Sequence, residues 1–130
     1  MKNAKLKTVW FIITNSTTTL YQNVYGETNG ISEKTPFVIG LITKSFTSLA
    51  SLKLNISLNQ TLDNFNLGDY LDEKLKKDIT IGELLNHTSG LDSFSSLRIV
   101  DKGNFSYSNY GFGLLGKIIE EKSGENYSDC

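Results

Sequence analysis

Three short segments of this 130-residue sequence hold its candidate chemistry-bearing side chains. Residues 37–49 read FVIGLITKSFTSL, residues 79–91 read ITIGELLNHTSGL, and residues 105–116 read FSYSNYGFGLLG. The first carries Lys44 three positions after Leu41, the second carries His87, and the third carries Tyr107-Ser108-Asn109. Residues three apart share a helix face, so positions 41 and 44 are expected to project side by side into one cleft. At a helix start the backbone amides favour developing negative charge. Taken one at a time, each segment also has a plain reading: an exposed helix lysine, a packed or capping histidine, a loop tripeptide.

Position 41 itself offers no nucleophile. Leu41 has no lone pair and no ionisable group, so it cannot form an ester with a substrate acyl group. Thr43 does not replace it: at roughly 100° per residue it is expected about 160° away around the helix. Ser45 lies on the side of position 41 but one turn further in, and it follows Lys44 instead of preceding it.

Elements must place these residues. Residues 7–13 are rich in β-branched and aromatic side chains and predict a strand; the polar cluster 15–18 predicts a turn, and 19–25 a second strand. Residues 26–36 read as a loop. From Gly40 onward the period changes: Ile42, Phe46, Leu49 and Ala50 fall on one helix face. That helix is expected to run to about Leu54, although Leu52, Leu54, Ile56 and Leu58 also alternate as a strand would. Leu67, Leu71 and Leu75 suggest short helical or turn segments. Thr80-Ile81-Gly82-Glu83 has the form of a capping box opening a helix over residues 81–86. Phe112, Leu115 and Ile119 form the stripe of a helix over 110–122, stopped by Gly124.

Composition narrows the classes. The sequence is 38% apolar and 21% charged with a net charge of −1, which suits a single soluble body and gives no nucleic-acid footprint. The lysines of 74–77 sit among Asp72, Glu73 and Asp78 and predict a solvated helix face. Lys2, Lys5 and Lys7 precede the apolar run 9–13, but five residues are too few for a signal-peptide core or a membrane span. The sole cysteine, Cys130, allows no internal disulfide, closes no prenylation motif and fixes no compartment.

Together, the order and spacing of the three segments resemble the serine β-lactamase-related family: class C β-lactamases, D-alanyl-D-alanine peptidases and related esterases. The family phrase F-x-I-G-S-x-T-K-S-F-T appears as Phe37-Val38-Ile39-Gly40-Leu41-Ile42-Thr43-Lys44-Ser45-Phe46-Thr47, matching everywhere except the nucleophile. Tyr107-Ser108-Asn109 matches the Tyr-x-Asn motif, and 79–91 follows the I-T-I-x-x-L-L-x-H-T-S-G-L segment. The likeness runs from about residue 7 to Tyr127.

The resemblance implies an α+β architecture: one incomplete domain over 1–130, with the N-terminal β-hairpin of a β-lactamase/transpeptidase-like sheet, most of the helical lobe, and the C-terminal strands missing. It implies a site in which Leu41 occupies the nucleophile position and Lys44, Tyr107 and Asn109 inherit the proton-relay and substrate-holding roles. No cofactor or metal is implied. Ligands would be β-lactams, peptides or small esters. His87 belongs, in the family, to a structural turn and is expected outside the chemistry, and Ser45 to the packed helix interior. The family's third motif, Lys/His-Thr/Ser-Gly on a late strand, is expected to have no counterpart after Asn109. Loss of one oxyanion donor alone costs on the order of 10²–10³ in kcat. The expected chain is therefore catalytically inactive, with a non-catalytic binding or partner module and one half of a split hydrolase as the alternatives, and with Val9, Phe11 and Ile13 on an unpaired sheet edge that favours self-association.

Overall fold

The computed structural model describes residues 8–27, 30–32, 34–92 and 101–129. Lys2, Lys5, Lys7 and Cys130 lie outside them. The chain divides into two compact units, Met1–Ile39 and Gly40–Cys130.

In the first unit, β1 (Thr8–Thr14) and β2 (Thr19–Gly26) form an antiparallel hairpin. The β-branched and aromatic residues of β1 suit a pleated surface, and the register sets Trp10 opposite Val24 and Ile13 opposite Tyr21. Asn15 makes the turn. Its side-chain oxygen accepts the amides of Thr17 at 2.9 Å and Thr18 at 2.7 Å, an Asx turn that stands in for ladder bonds. Trp10 stacks on Phe37 at 5.6 Å. Among the described residues the sheet has two strands, and Val9, Phe11 and Ile13 remain 39–49% exposed.

The second unit is helical. A 3₁₀ turn at Gly40–Ile42 leads into α1 (Thr43–Lys53). Irregular chain with two further 3₁₀ turns precedes α2 (Glu73–Asp78), α3 (Ile81–Leu85) and α4 (Asn109–Ser123). α4 is the spine of the core: Leu114, Leu115, Ile118 and Ile119 are at most 2% exposed. Ile81 and Leu84 of α3 and Leu62 and Leu67 of the preceding chain close over it. The expected stripe Phe112, Leu115, Ile119 is buried, and Gly124 caps the helix in the left-handed conformation at φ 74°.

The capping box forms as the sequence predicts: the Glu83 amide donates to Thr80 Oγ1 at 3.3 Å and the Thr80 amide to Glu83 Oε2 at 2.8 Å. A bridge between Thr61 and Thr80 anchors the start of α3, and the Gly82 amide donates to the Leu58 carbonyl at 2.8 Å. A Cβ on Gly82 would sit 3.1 Å from that carbonyl oxygen, tighter than most such contacts, so a side chain there would press on the Leu58 carbonyl.

The helix expected to run to about Leu54 does so: α1 ends at Lys53 with Leu54 as its cap, and Asn55 takes a positive φ of 54°, which breaks the competing strand alternation. Two expectations are corrected. Ser45 is exposed, not packed inside. Lys76 is not solvated: it is 4% exposed, its ammonium donating to the Gly68 carbonyl at 3.0 Å and pairing with Glu73 at 2.5 Å. Its long methylene stem fills space beside the 68–70 turn while its head is satisfied locally.

Candidate functional site

α1 sets Lys44 in its first turn. The faces of this helix are the reverse of what its apolar stripe suggests: Ile42, Phe46 and Leu49 are 61–63% exposed, while Thr47 and Ser51 are buried. Their hydroxyls bond back to the carbonyls of Thr43 at 3.1 Å and Thr47 at 3.0 Å. These small, internally satisfied side chains let α1 lie close against α4. Thr47 Oγ1 also hydrogen-bonds the Tyr127 hydroxyl, and a Cβ on Gly116 would meet the Tyr127 ring at 3.6 Å.

Lys44 Nζ donates to Asn109 Oδ1 at 2.8 Å across the α1–α4 junction. It also lies 5.0 Å from the Tyr107 ring centroid and 5.4 Å from that of Phe112. Such cation–ring contacts contribute about 0.5–1 kcal/mol where solvent reaches them. Three of the four expected site residues, Lys44, Tyr107 and Asn109, are thus gathered within one cluster although 65 positions separate the first from the last.

Leu41 differs. It lies on the 3₁₀ turn ahead of α1 and is 65% exposed. The groove beside Lys44, about 370 Å³, is lined instead by Gly40, Thr43, Thr47 and residues of α4. Thr43 and Lys44 both border this groove, which Leu41, Tyr107 and Asn109 do not line.

The loop ahead of α4 is held by the turn at His87. His87 has a positive φ of 57°. Its carbonyl accepts the Ser106 amide at 2.8 Å and its Nδ1 accepts the Ser108 amide at 3.1 Å. The imidazole stacks on Tyr107 at 4.6 Å and Phe112 at 4.9 Å, and meets Phe105 edge-on at 5.7 Å. Burial pushes the His87 pKa below its ordinary value, and the Lys44 charge adds to the effect. Nδ1 can accept the Ser108 amide only in the neutral, Nε2–H form of the ring. Ser108 caps α4: its hydroxyl accepts the Gly111 amide at 3.0 Å and donates to the Asp92 carbonyl at 3.2 Å.

Sequence reasoning missed this Ser108 cap and its link to His87. A serine directly before a helix is a legible N-cap signal; the His87 contact joins positions 21 apart and leaves no local mark. It also overlooked that Lys122-Ser123-Gly124 has the letters of the third motif. That tripeptide is the last turn and cap of α4, not a strand: Lys122 lies over the Phe65 ring at 5.3 Å and the Ser123 hydroxyl donates to the Ile119 carbonyl at 2.8 Å.

Among the described residues, no three His, Cys, Asp or Glu side chains gather as a metal site, and no helix is long and apolar enough to cross a membrane.

A β-hairpin and a helical unit whose first helix offers a lysine to a Tyr-x-Asn loop define a class: a partial beta-lactamase-like fold. The family model described as Beta-lactamase matches residues 1–130, and the chain belongs to that family. A solved structure, the octameric penicillin-binding protein homologue from Pyrococcus abyssi, matches with a TM-score of 0.73 and 26% identity. The match covers 95% of this chain and 36% of that one, so the chain spans about a third of its relative's length. No curated protein matches.

Proposed function

We propose that this chain is a member of the beta-lactamase family without the covalent step, retaining a cation-centred recess that holds ligands reversibly. The observation that carries the reading is Leu41 at the nucleophile position beside an otherwise preserved Lys44–Asn109 contact of 2.8 Å. An ammonium with a fixed partner and two aromatic neighbours offers a donor to a carbonyl or carboxylate oxygen. β-Lactams, peptides and small esters all present one. With no group at position 41 able to attack, binding ends at the non-covalent complex.

The test separates binding from acylation. Benzylpenicillin, a D-alanyl-D-alanine peptide and a p-nitrophenyl ester are titrated against the isotope-labelled chain. Saturable shifts at Lys44 and Asn109 without any change in intact mass support the reading; a covalent adduct overturns the silent step, and no shifts with any ligand overturn the binding role.

A second reading rests on the exposed apolar face of α1. Ile42, Phe46, Leu49 and Leu52 are 56–63% exposed, and a run of this kind on one helix face marks an interaction surface. The occupant that fits is the rest of the same fold, since about two thirds of the relative's length has no counterpart in the match. In that reading the chain works as one part of a hydrolase whose remaining strands cover α1 and complete the sheet beside β1. Self-association through the same face is the outcome expected when that cover is withheld.

A further inference from the structure

We propose that His87 is the positioning residue of the Tyr107–Asn109 segment, clamping it on both sides of Tyr107 so that Asn109 meets Lys44. The inference rests on the reading above that Lys44, Tyr107 and Asn109 form one recess. The argument begins with the backbone. Tyr107 lies between two amides that end on the same residue: Ser106 donates to the His87 carbonyl at 2.8 Å and Ser108 to the His87 Nδ1 at 3.1 Å. Between those two bonds the Tyr107 ring lies over the imidazole at 4.6 Å with a 32° tilt. Backbone, side-chain nitrogen and ring face of one residue thus fix a tripeptide that is otherwise loop.

The consequence passes along the chain. Ser108 is the N-cap of α4, so the amide held by His87 belongs to the residue that also starts the helix. Asn109, the next residue, accepts from Lys44. Moving Ser108 therefore moves both the cap and the lysine's partner. Phe112, one turn into α4, contacts both the imidazole at 4.9 Å and the Lys44 ammonium at 5.4 Å, which ties the three elements at a single aromatic floor.

The clamp works in one protonation state. Neutral His87 presents an Nδ1 lone pair; the imidazolium has a proton there and cannot accept the Ser108 amide. α1 contributes Lys44, the only charge acting on the ring among the described residues, and it opposes a second cation. The loop ahead of α4 contributes Tyr107, and α4 itself faces the ring with uncharged Phe112. On the side of α3, Glu83 is engaged by Thr80 and by Lys102 at 3.4 Å. Acid therefore releases the segment from within.

The experiment uses the full chain, labelled with ¹⁵N and ¹³C, titrated from about pH 8 to about pH 5 across the range in which histidine changes charge. His87 is expected in the Nε2–H tautomer, and the Ser108 amide shift is expected to follow the imidazole with one common midpoint, below the ordinary histidine value. A Ser108 amide that ignores the imidazole titration, or an Nδ1–H tautomer, overturns the proposal. His87→Asn keeps an acceptor near the Nδ1 position and tolerates a left-handed backbone; it should keep Ser108 protected and abolish the pH step. His87→Ala should speed Ser108 amide exchange about fivefold or more, the loss of one hydrogen bond, while the core amides of α4 stay unchanged. Retained protection in His87→Ala, or a surviving pH step in His87→Asn, counts against the clamp. Because every readout is a local resonance, failure of the ligand-binding reading leaves this result intact, and the reverse also holds.

Discussion

Lys44 is fixed by one hydrogen bond to Asn109 and by two aromatic faces, so its ammonium keeps a defined place. Its partner residue depends on the cap directly before it. Ser108→Ala removes the acceptor for the Gly111 amide and the donor to the Asp92 carbonyl. A lost N-cap costs about 1 kcal/mol, so a urea titration should show a lower midpoint at unchanged slope; an unshifted midpoint would mean that another group caps α4. The histidine adds a pH dependence. Its pKa is lower folded than unfolded, so the unfolded chain binds the extra proton first as pH falls. His87's contribution is complete above its ordinary value of 6.5 and is lost as pH falls through the lower folded value. Chemical-denaturation midpoints on the two sides of that window should differ in the wild type and lose the step in His87→Asn.

At the scale of elements, local signals survived and pairwise ones did not. The Thr80–Glu83 box and the Gly124 stop are written in three or four adjacent residues, and each formed as read. The α4 stripe was legible because Phe112, Leu115 and Ile119 repeat at the helical period and the core lies on that side. α1 shows the limit of the same rule: its apolar stripe is real, but Thr47 and Ser51 face α4 because small residues permit the closer approach. Lys76 misled for a similar reason, since nothing local announces that the Gly68 carbonyl waits to receive it. Two substitutions test the packing. Ile118→Ala, at a position with no exposure, should cost about 2–5 kcal/mol by cavity formation. Gly82→Ala presses a Cβ against the Leu58 carbonyl at 3.1 Å and should lower the thermal midpoint, against the usual gain of a glycine-to-alanine change within a helix.

For the molecule as a whole, apolar burial is uneven. The buried core lies in the second unit, centred on α4, while the first unit has a two-stranded hairpin with exposed Val9, Phe11 and Ile13. A lone hairpin is marginal in water, so hydrogen exchange should be fast through β1 and β2 and slowest in α4; equal protection would show that something covers the hairpin. The apolar face of α1 gives a second expectation. Phe46→Glu with Leu49→Lys, at positions 61% and 63% exposed, should shift sedimentation toward the monomer without lowering the thermal midpoint. A large loss of stability would place those side chains inside a buried interface. The absence of a hydroxyl at position 41 remains the claim on which the functional account stands. Intact-mass measurement of the chain after incubation with a fluorescent penicillin tests it most directly, with Leu41→Ser alongside. The account predicts unchanged mass and no fluorescent band for the chain as it stands, and no label from the single restored serine without the fold's remaining strands. A stoichiometric penicilloyl adduct on the unaltered chain would contradict it.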